Sequence, residues 1–402
     1  MKRSAFLLIL TACLLTGCGS APTYVSPDEL AASTQPAADI AGAEVKSAET
    51  EDALTDALTT EASATEAVTE EETTEETTEE TTEPTTEATE PPTSAWQLPA
   101  DGTNTIVSGC MVVNSGTDHV RAIEMFGGSD AIGSRYAAAL ERLQANLGDS
   151  AQVYSMVVPT SQAFYTPEEF LEKNGDQRDQ AETIAAEMTT VQPVLLYDAL
   201  YPHRGEPLYS RTDYHWQPLG AYYAAQEFAR MAGVPFESLD TYEAVTRQGY
   251  VGAFYTVNKI GELAGAPEDF TYYKPANLDD LICTYYNTDF TNARSGSMFH
   301  EDNATGSSYT VFIGTDECIF CSENPDAEND RVLVLVKDSY GNAMVPFLAG
   351  SFRKVYLCDF RYFGRSLTSF AQEVGATDVA FAMSTVAVTT AAKVDQVERM
   401  IG

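Results

Sequence analysis

The chain has 402 residues, 44% of them apolar and 10% aromatic. That is too long for one small module and too apolar for a wholly disordered polymer, so at least one substantial core must form. Its 60 acidic residues against 23 basic ones leave a formal charge of −37, which repels phosphate backbones and argues against nucleic acid as a partner.

In chain order, the amino terminus reads as an export address. Lys2 and Arg3 make a basic start, and Ala5 to Leu15 form an apolar run too short to cross a bilayer comfortably. No comparable run follows, so a protein that crosses a membrane many times is excluded. Leu15-Thr16-Gly17-Cys18 closes the segment and resembles the lipobox of bacterial lipoproteins, whose cysteine is diacylated and becomes the new first residue. Cys18 is then the lipidation site, and a stably held lipid anchor places the protein on the extracytoplasmic face of the cell membrane. Residues 1–18 form this signal, and residues 19–98 form an acidic Thr/Glu-rich linker. Between residues 21 and 98, 20 acids against one base, Lys46, carry −19 of the total charge. With Pro84, Pro91 and Pro92, such a stretch buries too little apolar surface to offset chain entropy and is expected to stay extended as a disordered stalk.

Residues 99–402 suit one large domain. Thr105 to Val113 and Val153 to Val158 predict strands with a helix over Arg135 to Leu147 between them. A helix over Gln177 to Met188 precedes a third strand at Val194 to Tyr197. Val332 to Val336, Val355 to Cys358 and Val379 to Met383 are continuous apolar strands, and Ala391 to Met400 is a closing helix. Buried strands alternating with helices predict an α/β fold with a mostly parallel sheet covered on both faces, whose ligands sit at the carboxyl ends of the strands. The stretch of about 235–310, rich in Tyr, Asn, Asp and Gly, reads as an excursion with some strands that forms part of a substrate groove.

Two segments carry candidate chemistry. Arg211-Thr212-Asp213-Tyr214-His215-Trp216-Gln217-Pro218 runs into a helix that Pro218 begins and Gly233 ends, with Ala221, Ala224, Ala225, Phe228 and Ala232 facing inward. Residues two apart in an extended loop share a side, so Asp213 can reach one ring nitrogen of His215 and leave the other free as a base. Taken alone, such a pair is more often a hydrogen-bonded helix entrance than a catalytic dyad. In Lys337-Asp338-Ser339-Tyr340-Gly341-Asn342, a buried strand ends and a helix is expected to begin just after Ser339. The hydroxyl then lies at the sheet edge near a helix's positive end, where N–H groups can hold an oxyanion. Here too Asp338 and Ser339 suit simple helix caps.

Together the two blocks, with Pro218-Leu219-Gly220-Ala221-Tyr222-Tyr223, resemble the DHHW family of exported bacterial proteins. That family is similar to the alginate O-acetylation proteins of the AlgX and AlgJ type, whose domain is SGNH-hydrolase-like in a permuted order. The resemblance implies a three-layer SGNH-like domain over 99–402, with Asp213 as orienting acid, His215 as base and Ser339 as nucleophile. It implies no cofactor. The implied partners are a polysaccharide acceptor and an acetyl donor supplied by a membrane-bound O-acyltransferase. The implied activity is O-acetyl transfer to an extracellular or cell-wall polysaccharide; an acetylesterase or a non-catalytic glycan-binding scaffold is the alternative. Tyr214 stands where the family has a first histidine and is expected to point away from the pair.

The other candidates read as structural. His119, His203 and His300 lack a second histidine at metal spacing and are expected at the surface or at caps. Cys318-x-x-Cys321 is expected to close a small disulfide loop or remain as two idle thiols, since Cys110, Cys283 and Cys358 are scattered. Arg361 and Arg365 are expected to be solvated.

Overall fold

The structure, a computed structural model, describes residues 97–302 and 308–402. Cys18, the export segment and the acidic linker up to residue 96 lie outside them. Ser108 and Gly109, at φ of 50° and 75°, turn the chain back on itself and split the single strand expected over Thr105 to Val113. The halves are β1 (Thr103–Val107) and β2 (Cys110–Ser115), and β3 (Arg121–Glu124) completes a small antiparallel sheet.

Helix α1 (Asp130–Leu147) starts five residues before the expected Arg135, because the Ser129 side chain caps it by accepting from Ile132 N, and Asp130 complements the dipole of the first turn. Strand β4 (Gln152–Val158) follows, then α2 (Gln177–Ala186), whose cap Asp176 accepts from Arg178 N and Asp179 N. The third strand is shorter than expected. It is β5 (Gln192–Val194), an edge strand containing Pro193, and the chain winds into a short helix at Leu196–Leu200. Helix α3 (Pro218–Ala232) has Pro218 in its first turn and Gly233 at φ 66° closing its last carbonyls.

The 235–310 stretch contains the hairpin of β6 (Glu243–Tyr250) and β7 (Glu268–Lys274), then β8 (Ile282–Tyr286) and β9 (Arg294–Ser295). The remaining elements are β10 (Ile319–Glu323), β11 (Val332–Lys337), β12 (Lys354–Asp359), α4 (Leu367–Val374), β13 (Asp378–Ser384) and α5 (Ala391–Ile401). The main sheet has the order β5-β4-β13-β11-β12-β10-β8-β9. From β5 to β12 all neighbours are parallel; from β12 through β9 all are antiparallel. The sheet is therefore mixed: the excursion is not wholly separate but lends β8 and β9 to one end, through β10.

Alternation along each central strand divides the core. Leu333 and Leu335 of β11 join Phe228 of α3 on one face, while Val334 and Val336 join Tyr136 and Leu140 of α1 on the other. All are fully buried, and each such aliphatic side chain contributes about 1.5–3 kcal/mol. The last strand, β13, inserts between β4 and β11 at the middle of the parallel part, so the carboxyl ends of β11, β12 and β13 meet at one edge. Among the described residues no helix is long and apolar enough to cross a membrane.

Candidate active site

At that edge the chain leaves β11 through Asp338. Its carboxylate accepts from Tyr340 N at 3.1 Å and from Ser384 N at 2.8 Å, tying the turn after β11 to the end of β13. Burial pushes the Asp338 carboxyl above its usual range. Ser339, partly exposed, opens a single 3₁₀ segment, Ser339–Met344, continued by a short α-turn at Val345–Leu348. The helix expected after Ser339 is thus too short to build a large dipole at the hydroxyl.

The loop entering α3 supplies the rest. His215 Nε2 lies 2.7 Å from Ser339 Oγ, and its Nδ1 lies 2.7 Å from Asp213 Oδ1, which also accepts from His215 N at 3.0 Å. Asp213 and His215 are 1% and 4% exposed, so the line runs from a closed interior to a solvent-reachable hydroxyl. Burial alone would raise the Asp213 carboxyl, but His215 beside it and the hydrogen bonds from His215 and Tyr250 hold it below the usual value. The structure therefore brings Asp213, His215 and Ser339 into one hydrogen-bonded line across 124 positions of sequence. An ionised Asp213 on Nδ1 favours the tautomer that leaves Nε2 able to take the hydroxyl proton.

Five residues of this site escaped the sequence reading. Tyr250 Oη and Ala253 N each donate to Asp213 Oδ2 at 2.7 Å, completing the carboxylate's contacts. Gly252 passes so close that a Cβ there would stand 2.4 Å from Asp213 Cβ. The Glu268 carboxylate accepts from Arg211 N at 2.9 Å, Thr212 N at 2.8 Å and Thr212 Oγ1 at 2.7 Å, pinning the backbone just ahead of Asp213. Tyr309 stacks flat on the His215 ring, centroids 4.0 Å apart at 9°, and its hydroxyl donates to Ser339 O at 2.9 Å. All five lie in the 235–310 stretch, whose tyrosines and glycines signalled an unusual segment without indicating which side chain turns toward Asp213.

Tyr214 does not point away. Its ring centroid is 4.6 Å from that of His215, and it packs edge-on against Phe254, so the imidazole is bracketed by Tyr214 and Tyr309. Arg361 is not solvated either. Its guanidinium donates to both Asp359 oxygens and to Asp316 Oδ2, while Lys337 Nζ reaches Asp359 Oδ2 at 2.7 Å and also meets Asp316. Register explains the cluster: Lys337 and Asp359 are direct partners at the ends of β11 and β12. Arg365 pairs with Glu373. The five cysteines of the domain are buried and free, so Cys318 and Cys321 are idle thiols, and burial pushes Cys321 up to about 12. His119 is held between Asp101 and Asp118, and His203 sits on Glu206 and the ring of Tyr223. His300 is half-buried, with Nε2 at 2.8 Å from Tyr285 Oη, rather than at the surface.

A mixed α/β protein carrying a serine, a histidine and an aspartate in one hydrogen-bonded line at the carboxyl edge of its sheet is the class that fold and site define. The family model described as DHHW protein matches residues 25–358, and the chain belongs to that family. A DHHW family protein from Eubacterium siraeum is 38% identical, with 74% of this chain and 97% of that one covered at a TM-score of 0.68. Bacillus cereus PatB1, solved with a sulfonyl adduct, is 16% identical over 72% of this chain and 97% of its own, TM-score 0.56, a likeness of fold. The O-acetyltransferase domain of Pseudomonas putida AlgJ is more distant, at 14% identity over 70% and 95% with a TM-score of 0.40. The search of curated proteins gave no match.

Proposed function

We propose that the protein is a lipid-anchored, extracytoplasmic O-acetyltransferase of the permuted SGNH-hydrolase type, which transfers acetyl groups to an extracellular or cell-wall polysaccharide through an acetyl-Ser339 intermediate. The observation that carries this reading is the relay itself: Ser339 Oγ within 2.7 Å of His215 Nε2, with Nδ1 within 2.7 Å of a buried Asp213. Ser339 Oγ attacks the acetyl carbonyl of the donor as His215 accepts its proton, and His215 then gives that proton to the departing donor group. A sugar hydroxyl next loses its proton to His215 and attacks the acetyl-serine, which releases the acetylated sugar and returns the proton to Ser339 Oγ. Asp213 holds the imidazole in the required tautomer throughout and stabilises it when charged. A membrane-bound O-acyltransferase supplying the donor is the partner that suits an anchor at Cys18.

The test measures acetate release from p-nitrophenyl acetate, labelling by a sulfonyl fluoride probe, and acetyl transfer to added glycan. Ser339→Ala and His215→Ala are each expected to lower turnover by about 10⁴-fold or more, and Ser339→Ala to abolish labelling. Asp213→Asn keeps more activity than Ser339→Ala if it only misplaces the imidazole proton. Adding the acceptor glycan diverts acetyl from water to sugar, which separates a transferase from an esterase. Equal turnover in wild type and Ser339→Ala, with no labelling, would leave a glycan-binding scaffold as the better account.

A further inference from the structure

His215 is held at its ends by hydrogen bonds and across its faces by rings, and the two kinds of contact do not last equally long in the proposed reaction. While Ser339 is unacylated, its Oγ at 2.7 Å from Nε2 and Asp213 Oδ1 at 2.7 Å from Nδ1 pin both ring nitrogens. An acylated Oγ has no hydrogen to share, so the bond at Nε2 is lost. The one that remains at Nδ1 does not fix the plane of the ring, because the χ2 torsion of histidine is broad.

The ring of Tyr309 fixes that plane. Its centroid lies 4.0 Å from that of the imidazole, and the two rings are within 9° of parallel. Tyr309 is buried and is itself tied down. Its hydroxyl shares one proton between Ser339 O at 2.9 Å and Tyr340 O at 3.0 Å, and accepts from Trp216 Nε1 at 3.3 Å. Burial pushes the phenol well above its usual range, so it stays a neutral donor. Phe270 and Phe312 pack edge-on against its ring. None of these contacts uses Ser339 Oγ, so acylation removes none of them.

We propose that Tyr309 is a positioning residue for the second half of the reaction, its ring keeping His215 in line while an acetyl group occupies Ser339. This rests on the acetyl-Ser339 reading above. In the step it serves, an acceptor hydroxyl gives its proton to His215 Nε2 as its oxygen bonds to the acetyl carbon. The bond from that carbon to Ser339 Oγ then breaks, and the proton passes to Oγ. The first half of the reaction needs the stack less, because the serine hydroxyl still pins Nε2 when that half begins.

Stopped-flow turnover of p-nitrophenyl acetate by the purified full chain, with water as acceptor, separates the halves: the p-nitrophenol burst follows acylation, and the steady rate after it follows deacylation. Tyr309→Leu is expected to slow deacylation about 10²-fold, the usual cost of a catalytic group displaced by ~1 Å, and to slow the burst by less than about ten-fold. Intact-protein mass spectrometry should then find acetyl-enzyme building up in Tyr309→Leu. Tyr309→Phe keeps the ring and loses one hydroxyl, so its deacylation is expected within about ten-fold of wild type. The wild type supplies a measurement that needs no folded variant. After sulfonylation of Ser339, the His215 Cε1 proton should keep the upfield NMR shift that a parallel phenol ring imposes. Equal slowing of both halves, no acetyl-enzyme build-up, Tyr309→Phe as slow as Tyr309→Leu, or loss of the upfield shift on sulfonylation would each overturn the role of Tyr309 while leaving the acetyl-Ser339 reading standing. A wild type with neither burst nor label would overturn that reading and this one with it.

Discussion

Asp213 is held on every side: His215 occupies Oδ1, while Tyr250 and Ala253 N occupy Oδ2. The space for this exists only because residue 252 has no side chain. A Cβ on Gly252 would meet Asp213 Oδ2 at 2.5 Å, well inside van der Waals contact, so the carboxylate must shift. Gly252→Ala is therefore expected to lower turnover on p-nitrophenyl acetate by about 10²-fold, the usual cost of misplacing a catalytic group by ~1 Å. Its circular dichroism spectrum should stay that of the wild type, since the strain is local. At this scale the Asp-x-His spacing was readable because side chains two apart share a side. Tyr250, Gly252, Glu268 and Tyr309 were not, because each acts through contact with a segment tens of residues away.

Strands β11 and β12 end in a buried ion cluster of Lys337, Asp359 and Arg361, which Asp316 completes from the chain just before β10. Burial alone would raise the Asp316 carboxyl, but Lys337 and Arg361 outweigh it and hold it far below the usual carboxylate range. A carboxyl depressed in the folded state stabilises the protein above its unfolded value of about 3.9, and that stabilisation drains away as pH falls further. Asp316→Asn should thus cost about 3 kcal/mol at neutral pH, since it strips a partner from a buried lysine. Denaturant unfolding should show the gap to wild type narrowing below about pH 4, where the wild type loses what the variant lacks. Constant destabilisation down to pH 2 would mean that lost packing, rather than charge, is responsible. The apolar runs of β11, β12 and β13 were legible as strands because both of their faces are buried. β10 was not recognised, and β1 and β2 were merged, because a short strand is defined by its partners and a tight turn can hide inside an apolar run.

Across the whole molecule, the relay joins the loop before α3 to the turn after β11, and the parallel order of β4, β13, β11 and β12 makes the meeting possible. Inserting β13 at the centre places its end at Ser384, which donates to Asp338 beside the nucleophile. The amino-terminal expectation stands as a proposal with its own test. Metabolic labelling with a fatty-acid analogue should mark the wild-type protein and not Cys18→Ala; equal labelling of both would remove the lipid anchor from the account.

The sequence by itself determined what is local or compositional: the α/β alternation, the Pro218-to-Gly233 helix with its inward alanines, and the two blocks holding Asp213, His215 and Ser339. These depend on periodicity, caps and charge, which neighbours along the chain settle. Only the tertiary structure decided that Tyr309 and Tyr214 bracket His215, and that Arg361 is consumed by Asp316 and Asp359. Strand order and register bring those groups together, and pairing between distant strands leaves no period in the sequence from which it can be read.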